Sequence, residues 1–199
     1  TNSEIIKKII KLRQQKKIIG LSHGVFDLLH HGHILHFEAA KKKCDFLFVS
    51  ITSDQFIKKG PNRPIHNQLE RVHHLKNLDM IDGAFIASGE SAVDSIKLVK
   101  PNIYFKGNDY KNNFLDKTKK IYLEIETVKK NKGKILYTSE KQFSSSKIIN
   151  QQGLALNESQ INFLKFLKKI SSYENLIKNL GKLKKDKVLV VGDLIIDKY

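Results

Sequence analysis

Apolar residues recur at helical spacing over residues 3–17. Ile5, Ile6, Ile9, Ile10 and Leu12 share one stripe, with lysines opposite. This predicts an amphipathic helix, with Ser3 placed to cap it. A lysine-rich helix of this kind also suits a membrane surface, but packing against the domain that follows is the more common outcome. From residue 18 the pattern alternates. Strand-sized apolar runs at 18–22, 46–51, 83–87, 102–105 and 134–138 are separated by helical periodicity over 33–43, 68–78, 91–99 and 116–131. Strand-helix alternation implies parallel pairing with helices packed on both faces. The expected class is therefore α/β, a Rossmann-like open parallel sheet of about five strands.

The pattern changes after residue 150. Residues 158–170 and 171–183 read as two helices with no strand between them, a helical C-terminal extension. Residues 187–199, KVLVVGDLIIDKY, read as a buried strand with a Gly-Asp turn, the opening of another domain. The expected division is 1–153, 154–185 as a helical linker, and 186–199 as the first strand of a truncated second domain. A fragment of a longer protein is thus expected.

Composition narrows the class. With 199 residues, 40% hydrophobic and 28% charged, the chain can bury a full core and is not a disordered tail. No apolar stretch approaches the roughly 20 residues that span a bilayer. The sequence opens without a charged-then-apolar segment, and a cytoplasmic location is expected. Cys44 is the only cysteine, so no intramolecular disulfide framework exists. The net charge of +16 raises the possibility of a nucleic-acid-binding module. Arginine, the preferred residue for base reading, occurs only at Arg13, Arg63 and Arg71. The lysines are scattered over every helix. A solvated basic surface that attracts anionic small molecules fits better.

The chemistry concentrates in GVFDLLHHGH, residues 24–33. It follows the first strand and opens the first core helix, at the sheet edge where open parallel sheets bind ligands. A helix N-terminus there offers free N–H groups to phosphate. His30 and His33, three apart, share a face, and Gly32 leaves the backbone open to a bulky anion.

This block resembles the His-x-Gly-His signature of the nucleotidyltransferase superfamily, in the longer form of the cytidylyltransferase-like branch. The likeness extends over residues 18–150. KKGPNRPI (58–65) is similar to the Lys-Gly-x-x-Arg-Pro loop of heptose-phosphate nucleotidyltransferases, and LERVHHL (69–75) to the Glu-Arg pair on the next helix. YFKGNDY (104–110) resembles the Lys-Gly-x-Asp-Tyr loop, and FSSSKIIN (143–150) the hydroxyl-rich segment before the last core helix. VVGDLIIDKY at the end resembles the first strand of a PfkB-type sugar kinase. Together these resemble bifunctional heptose-phosphate kinase/nucleotidyltransferases, with the usual order of the two parts reversed.

The resemblance implies transfer of CMP or AMP from CTP or ATP to a phosphorylated sugar, with release of pyrophosphate. Glycerol-phosphate or ethanolamine-phosphate cytidylyltransfer is the alternative. It assigns catalysis to His30 and His33, with Lys59 and Arg63 holding the acceptor phosphate or the pyrophosphate. It assigns nucleotide binding to Gly24, Phe26, Asp27, Gly32, Arg71, Lys106, Gly107, Asp109, Ser144, Ser145 and Ser146. Mg2+ is expected on the triphosphate, with no metal site of the protein's own. A homodimer and a fused sugar-kinase domain are the expected partners. Nucleic acid and membrane are not expected.

Each motif has a plainer reading. His30, His31, His33 and His36 with Cys44 could suggest a metal cluster, but no zinc-type spacing is present. His36, His73 and His74 read as ordinary surface or helix histidines. Asp27 either touches substrate or orients its loop. Arg71 either meets phosphate or pairs with a carboxylate. Ser144 to Ser146 suit a helix cap as well as a phosphate. No Walker A loop, G-x-G-x-x-G or G-x-S-x-G occurs.

Overall fold

The computed structural model describes residues 2–60, 62–107, 120–138, 149 and 156–183. In chain order these give α1 (Asn2–Gln14), β1 (Ile19–Gly24), α2 (His31–Lys41), β2 (Phe46–Ile51), a 3-10 turn (Asp54–Phe56), α3 (Gln68–Lys76) and β3 (Gly83–Ile86). Then follow α4 (Val93–Val99), β4 (Ile103–Gly107), α5 (Lys120–Lys130), β5 (Lys134–Thr138), α6 (Glu158–Ile170) and α7 (Tyr173–Leu183). The expected strand at 187–199 lies outside the described residues.

The five strands form one sheet in the order β3-β2-β1-β4-β5. Every pairing is parallel, as the alternation predicts. Side-chain alternation explains the two-sided burial. In β2, Leu47, Val49 and Ile51 join a core with Phe37, Ala40 and Leu75 from α2 and α3. Phe48 points the other way, into a core with Ile9 and Leu12 of α1, Ile96 and Val99 of α4 and Val128 of α5. Helix α1 therefore packs on the domain, and its Lys8 Nζ also donates to the Asp82 carbonyl at 2.6 Å. Gly20 is needed where Cys44 and Phe105 come close. A Cβ there would lie 2.7 Å from Cys44 Sγ and 2.8 Å from the Phe105 ring.

Strand order reverses between β1 and β4, because β2 and β3 lie on one side of β1 and β4 and β5 on the other. The carboxyl ends of β1 and β4, at Gly24 and Gly107, flank that switch point. This is where an open α/β sheet leaves a crevice for a ligand. Helices α6 and α7 match the predicted extension. They expose Phe163, Phe166, Ile170 and Tyr173. No helix among the described residues is long and apolar enough to cross a membrane.

Candidate active site

The chain leaves β1 at Gly24 and enters α2 at His31. Helix α2 begins two residues earlier than its periodicity predicts, which makes His30 the N-cap, with extended backbone at φ −140°. The two histidines nevertheless come together. The His30 and His33 rings stack with centroids 3.8 Å apart and planes 15° apart. The His30 N–H points at His33 Nδ1, at 3.4 Å. That contact makes Nδ1 the acceptor and leaves the ring proton on Nε2, ready to donate outward. Burial, then the neighbouring His30, His36 and Lys59, push His33 down to about 3, so it is neutral near pH 7. His30 is also lowered by burial. A neutral imidazole at a helix N-terminus is a hydrogen-bond donor aimed at anions, with the helix dipole adding to it.

The turn before α2 is shaped by Phe26. It is 8% exposed and has a left-handed backbone at φ 49°. Its ring meets His33 edge-on at 5.1 Å and Phe37 at 5.2 Å. A Cβ on Gly24 would lie 3.0 Å from that ring. Gly24 and Phe26 thus act from beneath, fixing where His33 stands. Gly32 sits in the first turn of α2.

Asp27 joins this turn to the loop after β2. Its Oδ2 accepts from Arg63 Nε at 2.7 Å, and its Oδ1 accepts from the Ile65 and His66 N–H groups at 2.7 and 3.2 Å. The Asp27 and Arg63 side chains are 1% and 3% exposed. With both oxygens engaged by the protein, Asp27 ties the turn to that loop. Arg63 Nη2 is buried and has no hydrogen-bond partner among the described residues. Lys59 stands beside this pair. Partial desolvation, then the Arg63 charge, hold its ammonium below the ordinary lysine value. The loop carries left-handed residues at Gly60 (φ 94°) and Asn62 (φ 57°).

Two expected nucleotide contacts are engaged by the protein itself. Arg71 is 1% exposed. Its guanidinium donates to the His66, Val25 and Thr52 carbonyls and to Asp54 Oδ1, at 3.0, 2.6, 3.0 and 2.5 Å. It ties loop ends together and has little left for a phosphate. Lys106 is 7% exposed. Its Nζ lies 2.9 Å from Glu124 of α5, whose carboxylate also accepts from Tyr104 Oη at 3.0 Å. It points into the protein. Gly107 ends β4 beside the crevice. Asp109, Ser144, Ser145 and Ser146 lie outside the described residues.

The metal-cluster reading finds no geometry among the described residues, where no group of three His, Cys, Asp or Glu could hold an ion. Cys44 donates to the Ala40 carbonyl at 3.3 Å, and burial pushes its thiol up to about 11. His36, read as an ordinary helix histidine, is part of a polar network under the site. It contacts Ser22 at 2.9 Å and Thr138 at 2.7 Å. His23 likewise contacts Ser50 at 2.9 Å and Thr52 at 3.3 Å. The signal for His36 was available in its spacing, one helical turn beyond His33 on the same face.

Residues 21–151 match the cytidylyltransferase-like family model. The bifunctional protein HldE of Aliarcobacter butzleri is 38% identical over 112 residues, which is 55% of this chain and 24% of that protein. The bifunctional protein HldE of Campylobacter jejuni subsp. doylei is 34% identical over 142 residues, 70% of this chain and 29% of that protein. The chain thus spans about a quarter of the length of the curated relatives it matches. A solved structure, the lipopolysaccharide core biosynthesis protein of Thermoplasma volcanium, superposes with a TM-score of 0.53 at 27% identity. It covers 63% of this chain and 99% of that one.

Proposed function

The chain belongs to the cytidylyltransferase-like family, and from that premise we propose that it is a nucleotidyltransferase that moves CMP or AMP from CTP or ATP to a sugar phosphate of the heptose-phosphate type. The observation that carries this reading is the stacked His30–His33 pair at the N-terminus of α2, beside Lys59 and the Asp27–Arg63 pair. The identity to HldE proteins over half or more of the chain supports a sugar-phosphate acceptor.

The reaction needs little covalent help from the protein. An acceptor phosphate oxygen, already ionised, forms a bond to the α-phosphorus of the nucleotide. The bond to the β-phosphate bridging oxygen breaks, and pyrophosphate leaves with that electron pair. Catalysis is then positioning plus stabilisation of charge on the phosphate oxygens. The Nε2–H of His33 donates to those oxygens, and the His30 ring is stacked against it. Lys59 supplies a mobile positive charge to the acceptor phosphate or the pyrophosphate. Arg63 brings an unmatched buried donor, which costs about 1–3 kcal/mol until an acceptor meets it. A phosphate oxygen is such an acceptor.

Nucleotidyltransferases generally use Mg2+. Magnesium prefers oxygen donors, and the described site offers imidazoles and cations, with Asp27 spent on Arg63, Ile65 and His66. These residues do not fit a resident magnesium site. The ion belongs with the triphosphate as part of the substrate, and no step above runs through it. Pairing as a homodimer and fusion to a sugar kinase, with a soluble, cytoplasmic setting, complete the proposal.

The test is pyrophosphate release by the purified chain with Mg2+, offering CTP and ATP separately against heptose phosphates and glycerol 3-phosphate. Release with one nucleotide and a heptose phosphate is the expected result. Release with glycerol 3-phosphate alone would move the acceptor to the polyol branch. No release and no nucleotide binding would overturn the reading.

A further inference from the structure

The network around His36 is buried, directional and unused by the chemistry above. Helix α2 carries His33 and, one turn later, His36. His36 Nε2 lies 2.9 Å from Ser22 Oγ on β1, and its Nδ1 lies 2.7 Å from Thr138 Oγ1 at the end of β5. Thr138 Oγ1 in turn lies 3.4 Å from the Lys106 carbonyl on β4. Ser22 and Thr138 are 0% and 8% exposed. A hydroxyl has one proton. If Thr138 gives its proton to the Lys106 carbonyl, it must accept from His36 Nδ1–H. His36 Nε2 is then bare and accepts from the Ser22 hydroxyl. Every donor in the chain finds an acceptor in one direction, and the tautomer follows from it.

We propose that His36 is a positioning residue: its neutral ring fastens α2 to β1, β4 and β5, and so sets where His33 stands at the sheet edge. This rests on the nucleotidyltransferase reading for its effect on rate, though not for its effect on geometry. Burial and the nearby Lys106 charge keep His36 neutral, lowered to about 4. The clamp matters because α2 carries His33 in its first turn and His36 one turn further on, so a tie at His36 bears directly on where His33 stands. The clamp also reaches the ends of β4 and β5, the two strands that lead toward Asp109 and toward Ser144 to Ser146 in the sequence. One side chain thus links the histidine-bearing helix to both strands.

The experiment combines long-range 1H–15N spectra of the histidine rings with turnover, on the full chain. The variants are His36→Leu, His36→Asn and Thr138→Val. In the unaltered protein the His36 ring should show the Nδ1–H form at neutral pH. Thr138→Val keeps the side-chain shape and removes only the acceptor, so it carries the test even if His36→Leu fails to fold. It should shift the His33 ring signals, although Thr138 does not touch His33. A misplaced catalytic group can cost on the order of a hundredfold. We expect Thr138→Val and His36→Leu to lower kcat by about tenfold or more, with the nucleotide KM changed by less than about twofold. His36→Asn, which can still donate toward Thr138, should recover part of kcat. Folded variants with unmoved His33 signals, or with lowered stability and unchanged kcat, would overturn the proposal. If the unaltered chain releases no pyrophosphate with any substrate pair, the nucleotidyltransferase reading fails. The ring spectra still decide whether His36 sets His33.

Discussion

Asp27→Asn is the most informative single change, because it removes a charge from a buried pair and almost nothing else. The Arg63 Nε–Asp27 Oδ2 contact is 2.7 Å, with side chains 3% and 1% exposed. Asparagine keeps the volume. Its carbonyl oxygen can still accept from the Ile65 and His66 N–H groups, now at 2.7 and 3.2 Å from Asp27 Oδ1. Its amide nitrogen would then face the Arg63 guanidinium, donor against donor. Breaking a buried pair on one side costs about 3–5 kcal/mol, because a charge is left uncompensated. That is a large share of the roughly 5–15 kcal/mol that holds a domain together. Urea unfolding followed by circular dichroism would show a lower midpoint at unchanged slope. The double variant Asp27→Asn with Arg63→Met removes the stranded charge. It should regain most of the stability, as replacing both members of a buried pair is often near neutral. It should not regain turnover, because Arg63 is gone from the phosphate site. Full stability of Asp27→Asn would refute the claim that this pair organises the loop. Recovery of both stability and turnover in the double variant would refute the role given to Arg63.

Three further outcomes follow from the same geometry. His33→Ala should fold normally and lose about 10²–10³ in kcat, the usual cost of one preorganised donor to a transition-state oxygen; a folded variant with full turnover would remove His33 from the mechanism. Lys59→Gln should raise the KM of the phosphate-bearing acceptor by about tenfold or more, since a hydrogen bond to a charged group contributes about 1.5–3 kcal/mol; unchanged kinetics would place Lys59 outside the site. His23, His33 and His36 are lowered to about 4, 3 and 4, so between those values and the ordinary histidine range the unfolded chain binds protons that the folded chain does not. Stability must then rise with pH through that window and fall on acidification, by at most about 2 kcal/mol per histidine between pH 7 and pH 5; a urea midpoint that holds or rises on going to pH 5 would contradict the buried, neutral rings.

Some of this arrangement was legible in the sequence because it is local. The apolar run at 46–51 writes the second strand directly, and the helical periodicity of 68–78 writes α3. The histidine pair is legible for the same reason, as two residues within one turn. The expected edge of α2 was two residues late because an N-cap histidine has no propensity signal. The supports of the site were hidden because their partners are far apart along the chain. Asp27 and Arg63 are separated by 36 residues, Arg71 and Val25 by 46, and His36 and Thr138 by 102. No periodicity connects such positions. The lysine-rich composition hid more, since Lys59 and Lys106 each open a Lys-Gly dipeptide and look alike as phosphate ligands. Burial separates them. Glu124 of α5 reaches Lys106 and takes its charge inward, while Lys59 lies beside an arginine and keeps its ammonium under pressure to find an anion. A motif read from sequence names the residues that could meet a phosphate. On the reading proposed above, Glu124 holds the Lys106 ammonium inward, whereas Arg63 meets Asp27 through Nε and keeps Nη2 for an acceptor.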